Sequence, residues 1–290
     1  MNSNQLDLTA LASLGRAANI YHTGFVLGRD IQNPALSALH KFLLNQCDSE
    51  YMNEYLRGGL KHWSRKWEYP YILGQIACFA INNPGHLRIF DNACGVNATA
   101  YLLASAGFDL TGTDLNDEPS AEGDLPSGAW GHPDINALKG SMRFLTADSL
   151  SIPFDDDHFD VSYSISSLEH MPDPFQAVKE MIRVTRPGGL IAITMDVSPR
   201  ECALAGESNV NFSNFTLIQG LLNDQCRFYS EPSFYVPDEL LSWQSVIRTD
   251  SRLRKFLRSG KSYLLRSNEV SNFYIFCGSY LKKPIDATVS

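Results

Sequence analysis

Residues 87–97 read LRIFDNACGVN, a short apolar run that leads into a turn with a single glycine. The run Leu87–Phe90 predicts a buried strand, and Asn92–Asn97 predicts the turn after it. The apolar segment Ala98–Ala106 predicts a helix that ends at Gly107, a residue typical of the position after a helix. A strand that passes through a tight turn into a helix indicates the first half of a parallel strand–helix–strand unit.

The same alternation continues along the chain. A helix is predicted after Pro174, with Phe175, Val178 and Ile182 on one face, and it is expected to end at Pro187-Gly188-Gly189. A long polar loop is predicted over Asn116–Gly140. Further strands are predicted at Phe108–Thr113, Met142–Thr146, Phe159–Ser164 and Leu190–Met195. Strands that alternate with helices predict an α/β fold, a doubly wound parallel sheet with helices on both faces.

The regions on either side of this alternation predict a division of the chain. Residues 1–85 contain apolar positions at helical spacing and stop at Asn82-Asn83-Pro84-Gly85, which predicts a helical N-terminal cap before a core at 86–198. Residues 199–290 are expected to form a helical insertion and a final strand of the same sheet. The elements predicted there are helices at Phe215–Leu222 and Pro237–Phe256 and a strand at Asn272–Tyr280.

The composition of the chain indicates which kinds of molecule it is expected to bind. The chain has 290 residues, a net charge of −8 and a pI near 5.3, which disfavours nucleic acid because phosphate binding needs a positive face. No run of about 18 apolar residues predicts a membrane span, and no secretory signal is visible. Six scattered cysteines favour free thiols in a reducing cytoplasm over disulfides or a metal site. A small-molecule substrate is expected, and the oligomeric state is not indicated.

Acidic residues stand at the ends of three successive predicted strands. Asp91 follows the first strand, Asp114 ends the second and Asp148 follows the third. Ligands of open α/β sheets lie beyond the carboxyl ends of the strands. A carboxylate in the place of Asp114 can accept both hydroxyl groups of a ribose, and Gly95 permits close backbone approach. These positions predict a site for a cationic, nucleoside-shaped ligand.

Taken in order, the motifs of residues 86–198 resemble those of class I S-adenosylmethionine (SAM)-dependent methyltransferases, in the small-molecule branch that includes ubiquinone- and menaquinone-type enzymes. The resemblance implies SAM as the cofactor and a Rossmann-like, seven-stranded sheet whose last strand is antiparallel. No cluster of cysteines or histidines in the sequence indicates a metal. Two glycines usual in the family's loop are Ala93 and Asn97 here. The motifs are IFDNACG at 89–95, TGTD at 111–114, AD at 147–148, IPF at 152–154, FD at 159–160, SLEH at 167–170 and RPGG at 186–189.

The resemblance also implies which residues bind the cofactor. Those residues are Asp91, Ala93, Cys94 and Gly95 for the methionine part, Asp114 with the adjacent Leu115 for the ribose, Asp148 with Ser149 for the adenine, and Ser164 for the sulfonium end. For Asp91, structural support of the glycine loop is the main expected role, whether or not it also contacts the cofactor. Arg65 is a candidate for the methionine carboxylate, and the alternative is that its segment is an amphipathic helix packed on the sheet.

His170 and Glu169 are the candidate catalytic residues. His170 follows the fourth predicted strand, where the transferring methyl group is expected, and an imidazole can take a proton from a hydroxyl or amine nucleophile. The alternative is that His170 caps the helix that begins near Pro174, with Glu169 as its polar partner.

The expected activity is an in-line displacement that moves the SAM methyl group to a small molecule. Two other functions stay open. A catalytically silent SAM-binding subunit would have the same fold but would not transfer the methyl group. A nicotinamide-dependent oxidoreductase would share the acidic residue of the second strand, but its turn carries three glycines and only Gly95 is present here.

Overall fold

A computed structural model describes residues 6–62, 64–95, 98–115, 138–198, 210–233 and 274–284. The strands are β1 His22–Phe25, β2 Arg88–Asn92, β3 Asp109–Asp114, β4 Ser141–Thr146, β5 Phe159–Ile165, β6 Thr185–Val197, β7 Cys226–Phe228, β8 Glu231–Ser233 and β9 Tyr274–Lys282. The helices are α1 Leu8–Ala18, α2 Gly28–Gln32, α3 Pro34–Gln46, α4 Glu50–Gly59, α5 Arg65–Asn82, α6 Ala98–Ser105, α7 Pro174–Val184 and α8 Phe212–Gln225.

All the strands of the described residues belong to one mixed sheet. Its order is β4-β3-β2-β5-β6-β9-β1-β8, and β7 also pairs with β9. Strands β2 to β6 are parallel to their neighbours, whereas β9 runs antiparallel to β6. The chain winds outward from β2 in both directions, so the crevice between the carboxyl ends of β2 and β5 is where a ligand is expected. The predicted doubly wound fold and its antiparallel strand are confirmed.

The sheet has nine strands in the described residues, where the resemblance implied seven. The sequence analysis did not predict β1, β7 or β8, which contain only three or four residues each. Such short segments have too few side chains to show a period of two. They are strands because β9 and β1 supply hydrogen-bonding partners, as in the pairing of Gly24 with Cys277.

Helices cover both faces of the sheet. Strand β6 shows the alternation, since Leu190 and Ala192 belong to one buried apolar cluster and Ile191 and Ile193 to the other. Helices α1, α3, α5 and α6 lie over the first face, and α7 and α8 lie over the second. Helix α5 is buried along most of its length, which explains why its sequence shows no single apolar face.

Two element boundaries differ from the prediction. Helix α7 begins at Pro174, with the Asp173 side chain accepting from the Gln176 N–H, but it ends at Val184 and not at the following Pro-Gly-Gly. That segment opens β6, because Phe159 of β5 already pairs with Thr185. Phe175, expected on the apolar face of this helix, is 37% exposed.

Some predictions fall outside the described residues: Asn97, most of the 116–140 loop, Cys202 and the helix at 237–256. Within the residues that are described, no helix is both long and apolar enough to cross a membrane.

Candidate functional site

The loop after β2 turns sharply beneath the predicted crevice. Ala93 and Gly95 both have positive φ angles, 55° and 45°. The Cys94 N–H donates to the Thr113 carbonyl at 2.9 Å, which ties the loop to the end of β3. A methyl group added at Gly95 would meet no atom of the described residues within 4 Å, so these residues leave the space beside Gly95 open. The loop therefore presents backbone to an open space at the end of β2.

Asp114 is joined to the same loop. Its Oδ2 accepts a hydrogen bond from the Gly95 N–H at 2.9 Å. The next residue, Leu115, is 64% exposed, so the chain leaves the sheet at this point. The structure therefore brings Asp114 and the glycine loop together, as their positions at the ends of two neighbouring strands predicted. Ribose binding by Asp114 stays a prediction.

Asp91 points into the protein and not into the crevice. It is buried, and its Oδ2 accepts a hydrogen bond from the Tyr163 hydroxyl at 2.6 Å. Burial and the nearby Asp91 carboxylate raise the pKa of Tyr163 well above its usual value, so the hydroxyl keeps its proton. This contact holds the strand end from which the loop starts, in keeping with the structural role expected for Asp91. A contact with the methionine part stays a prediction.

The end of β4 lies beside Asp114. The Ala147 N–H donates to the Asp114 carbonyl at 2.9 Å. Asp148 is exposed, and its Oδ1 accepts from the Leu150 N–H at 2.9 Å, which shapes the loop that follows β4. Ser149 is buried. The acidic residues of β3 and β4 therefore share one edge of the sheet, on the side of the crevice away from β6.

A cavity of about 160 Å³ opens at the carboxyl ends of β2 and β5. The glycine loop and Arg65 of α5 both line this cavity, although they are about thirty residues apart in sequence. Its lining residues are Arg65, Tyr69, Ala93, Cys94, Gly95, Ile165, Ser166 and Ser167.

Arg65 is held in place at this cavity by Glu68. Its Nη1 lies 2.6 Å from Glu68 Oε2, and the Glu68 carboxyl group is fully buried. The other oxygen of Glu68 accepts from the Ser166 hydroxyl at 2.9 Å. These contacts fix the guanidinium group at the start of α5 against the end of β5. They place Arg65 at the mouth of the same cavity as the loop; its binding of a carboxylate stays a prediction.

The residues at the end of β5 and directly after it face in different directions. Ser164 is fully buried and does not line the cavity, so the structure places Ile165, Ser166 and Ser167 where the sequence analysis expected Ser164. Leu168–His170 form one turn of 3-10 helix, with Glu169 buried and His170 exposed.

This turn gives its two titratable residues different surroundings. Burial raises the pKa of Glu169 to about 7, and Glu68 adds to the shift, while Arg65 opposes it. Burial and the Arg65 charge lower the pKa of His170, which favours the neutral imidazole. Each residue could therefore accept a proton near neutral pH. Glu169 faces the interior beside Glu68, and His170 lies at the rim.

Four cavity residues were not among the predicted site residues. Ile165, Ser166 and Ser167 directly follow the predicted strand Phe159–Ser164, so their position at a strand end was a usable signal. Tyr69 lies in the aromatic segment before the core, and its place in the cavity depends on how α5 packs on the sheet.

The residues of this crevice fit the methionine end of SAM. The open space at Gly95 accepts a close ligand, and Arg65 offers a cation to a carboxylate. The Asn92 side chain, buried below the loop, has neither its nitrogen nor its oxygen hydrogen-bonded within the described residues. The cavity is smaller than a complete site for a drug-sized ligand, so a nucleoside would extend outward along Asp114 and Leu115.

Comparison with known proteins agrees with this geometry. Residues 90–193 match the family model described as "Methyltransferase domain". Tocopherol O-methyltransferase of Arabidopsis thaliana is 34% identical over 108 residues, which cover 37% of this chain and 29% of that protein. Methyltransferase GfsG of Streptomyces halstedii is 33% identical over 118 residues, 38% and 37% of the two chains.

A third relative is similar over the same share of the chain. The 2-methyl-6-phytyl-1,4-hydroquinone methyltransferase of Synechocystis is 29% identical over 111 residues, 38% of this chain and 32% of that protein. The chain thus spans about a third of the length of these three relatives. The likeness concerns one domain and not the whole of any of them.

Proposed function

We propose that this chain is a class I SAM-dependent methyltransferase that transfers the methyl group of SAM to a small-molecule acceptor, since residues 90–193 match the family model described as "Methyltransferase domain". One observation carries the proposal. The glycine loop, the Asp114 carboxylate bonded to Gly95 and the Arg65 guanidinium meet at the carboxyl ends of β2 and β5, within or beside the matched segment.

The proposed roles of the binding residues follow from their positions. Arg65 and the loop Ala93–Gly95 would hold the methionine part, and Asp114 would accept the ribose hydroxyls. Asp148 and Ser149, on the same edge, would face the adenine. Tyr163 would act on the cofactor only indirectly, because its bond to Asp91 fixes the strand from which the loop starts.

For methyl transfer from SAM, the main task of the protein is to align the acceptor with the methyl group. SAM supplies a methyl group on a sulfonium, which is a good leaving group. The chain must orient the acceptor for in-line attack, exclude water and remove one proton. Tyr69 and Ser166 would shield the cavity from water, and His170 and Glu169 are the proposed proton acceptors. The names of two relatives favour a hydroxyl compound or a hydroquinone as the acceptor.

Calorimetric titration with S-adenosylhomocysteine tests the cofactor. We expect micromolar binding to the wild type and a loss of at least about tenfold in Asp114→Asn, since a ribose contact contributes roughly 1.4 kcal/mol or more. Asp109→Asn is the matched control: Asp109 begins the same strand, has a half-buried side chain and bonds to His86 and Ser141. Equal losses in both variants, or no binding to the wild type, would contradict the proposal.

Two further measurements separate the alternative functions. NADH and NADPH titrated in parallel should show no binding, and binding of either in place of S-adenosylhomocysteine would favour an oxidoreductase. Incubation with methyl-labelled SAM and a range of small acceptors tests turnover. Cofactor binding without label transfer to any hydroxyl, amine, thiol or carbon acceptor would favour the silent subunit.

A further inference from the structure

A second cavity, of about 330 Å³, lies at the β1–β8 end of the sheet, beside α2. It shares no described lining residue with the cavity that contains Arg65 and Gly95. Polar and charged side chains form most of its wall, so it is suited to a polar ligand. The residues that decide its chemistry are His22, Arg29, Asp30 and Glu231.

The pairing of β1 with β8 brings distant parts of the chain to this cavity. His22 of β1 lies opposite Glu231 of β8, and the two strands run parallel. Thr23 and Ser230, which are 207 residues apart, hydrogen-bond through their buried hydroxyl groups at 2.9 Å. Asp30 belongs to α2, which begins close after β1 ends. The wall is therefore built on a hydrogen-bonded junction of the sheet.

Asp30 is the buried carboxylate of this cavity. It is 5% exposed, and its Oδ2 accepts from the Leu27 N–H at 2.8 Å, which caps α2. Its other oxygen, Oδ1, accepts no hydrogen bond from any residue that the structure describes. A buried carboxylate oxygen without a donor is costly. Because Asp30 lines the cavity, a ligand can bring that donor.

His22 adds a second hydrogen-bond acceptor to the wall. Its Nδ1 lies 3.2 Å from the Asn19 carbonyl oxygen, which can only accept, so Nδ1 carries the proton. Burial lowers the pKa of His22, although the charge of Asp30 opposes this shift, and the imidazole is therefore neutral at neutral pH. In this tautomer Nε2 is an acceptor, and no described residue donates to it.

The charges of the wall favour a cation. Among the described residues, Asp30 and Glu231 have no ion-pair partner. Arg29 also lines the cavity and has a contact of its own, and one guanidinium group balances at most one of the two carboxylates. An anionic ligand would add charge of the sign that is already in excess.

The donor set argues for an organic cation over a metal ion. Within the described part of the chain, no three His, Cys, Asp or Glu side chains lie close enough together to hold a metal. The acceptors of the wall are a carboxylate oxygen of Asp30, Nε2 of His22 and the carboxyl group of Glu231. An ammonium group supplies both the positive charge and the N–H donors that these atoms accept.

We propose that this cavity is a second ligand site, which binds a small organic cation with N–H donors, in its simplest form an aliphatic diamine. One ammonium group donates to Asp30 Oδ1 and His22 Nε2 at the buried end of the site. The second meets Glu231 at the exposed rim. The site is independent of the proposed methyl transfer, because none of its residues is assigned to the cofactor.

Helix α5 separates this site from the cofactor cavity. The Trp67 ring centroid lies 5.8 Å from that of His22, and Trp67 is fully buried. Arg65 and Tyr69, two residues to either side of Trp67 in the same helix, line the cofactor cavity. The two cavities are therefore close neighbours, and a test must show which of them a cation occupies.

Three probes with one four-carbon skeleton test the site: putrescine, butane-1,4-diol and succinate. Each is titrated into the isotope-labelled chain at physiological ionic strength, and the backbone N–H signals of Leu27, Asp30 and Glu231 are followed by NMR. We expect putrescine to shift these signals saturably and to bind at least about tenfold more tightly than the diol. Succinate should not bind.

Asp30→Asn removes the buried charge and keeps a carbonyl oxygen that can accept from the Leu27 N–H. It should weaken putrescine binding at least about tenfold. Asp7→Asn is the matched control, since Asp7 also accepts a backbone N–H at the start of a helix, from Ala10 at 2.9 Å, and does not line the cavity. Glu231→Gln is a second variant in case Asp30→Asn does not fold, and it should weaken binding several-fold.

Several outcomes would overturn the inference. These are no saturable shift of the cavity signals, equal or tighter binding of the diol or succinate, and unchanged putrescine binding in both cavity variants. Equal losses in Asp30→Asn and Asp7→Asn would also overturn it, because they would indicate diffuse attraction to a chain with a net charge of −8.

Competition with S-adenosylhomocysteine separates the two cavities. Putrescine that stays bound when S-adenosylhomocysteine is added in excess supports the second site. Putrescine that is displaced occupies the cofactor cavity, which would overturn the inference and leave methyl transfer standing. A wild type that binds putrescine at the cavity signals but does not bind S-adenosylhomocysteine would instead contradict the proposed function and leave the second site standing.

Discussion

Tyr163 and Asp91 lie directly opposite each other on β5 and β2, and the tyrosine hydroxyl donates to the aspartate at 2.6 Å. Both side chains are buried. The bond therefore joins the two strands between which the crevice opens, one residue pair from the glycine loop. It connects the packing of the sheet to the position of the proposed cofactor loop.

Removing this bond should weaken both stability and binding. Tyr163→Phe leaves a buried carboxylate with one donor fewer, so we expect the free energy of unfolding to fall by about 1.5–3 kcal/mol. Affinity for S-adenosylhomocysteine should fall several-fold, because the loop loses an anchor. Denaturant unfolding and calorimetry measure the two effects.

Tyr101→Phe is the matched control for this substitution. Tyr101 also donates to an aspartate, Asp48, at 2.6 Å, but that contact lies between α6 and the segment before α4. It should lower stability and leave the affinity unchanged. If both variants lost affinity equally, general loosening of the fold would explain the effect better than the Asp91 anchor.

Gly95 is expected to be required for the backbone as well as for the ligand. At φ 45°, Gly95→Ala places an alanine in the left-handed region, which costs about 1 kcal/mol of stability. The added methyl group would occupy the open space where a cofactor is proposed, so binding of S-adenosylhomocysteine should fall by more than tenfold, roughly 1.4 kcal/mol.

Gly220→Ala serves as the control for Gly95→Ala. Gly220 lies within α8, where an added methyl group also meets nothing within 4 Å. It should raise stability by roughly 0.5–1 kcal/mol and leave cofactor binding unchanged. Unchanged binding in Gly95→Ala would show that the ligand does not approach this residue.

Ala93 should behave in the opposite way. It has a φ of 55°, a conformation that an alanine adopts at a cost of about 1–2 kcal/mol. Ala93→Gly removes this cost, although the more flexible unfolded chain offsets about 0.4–1 kcal/mol of the gain. We expect a net increase of about 0.5 kcal/mol in the free energy of unfolding. A clear decrease would mean that packing of the Ala93 methyl group against the apolar cluster matters more than strain.

The buried carboxyl group of Glu169 should make stability depend on pH. The pKa of Glu169 rises from 4.5 to about 7 on folding, so the folded chain holds a proton that the unfolded chain releases. The resulting stabilisation is complete below 4.5 and is lost as the pH rises through about 7. It amounts to at most about 3 kcal/mol.

Melting curves between about pH 5 and about pH 8 test this dependence. The wild type should lose more stability over this range than Glu169→Gln. Glu68, Arg65, Ser166 and Asp196 are the groups that act on Glu169, and Asp196, whose pKa is also raised, keeps part of the dependence in the variant. Parallel curves for the two proteins would show that Glu169 is ionised in the folded state.

Local sequence patterns were sufficient to predict the central strands of the sheet and the residues on one side of the crevice. The runs at Leu87–Phe90 and Leu190–Met195 predicted β2 and β6, because apolar runs and turn residues depend on near neighbours. The position of Asp114 after a strand predicted that it would lie near Gly95, since parallel strands end at one edge.

The sequence by itself determined the α/β class, the parallel strands and the acidic positions at their ends, because each of these follows from spacing within about ten residues. Only the tertiary structure decided that Asp91 turns inward to Tyr163, that Glu169 is buried while His170 is exposed, and that Glu68 meets Ser166. Glu68 and Ser166 are 98 residues apart. Such contacts depend on how a buried helix packs against strand ends, and no local pattern encodes that packing.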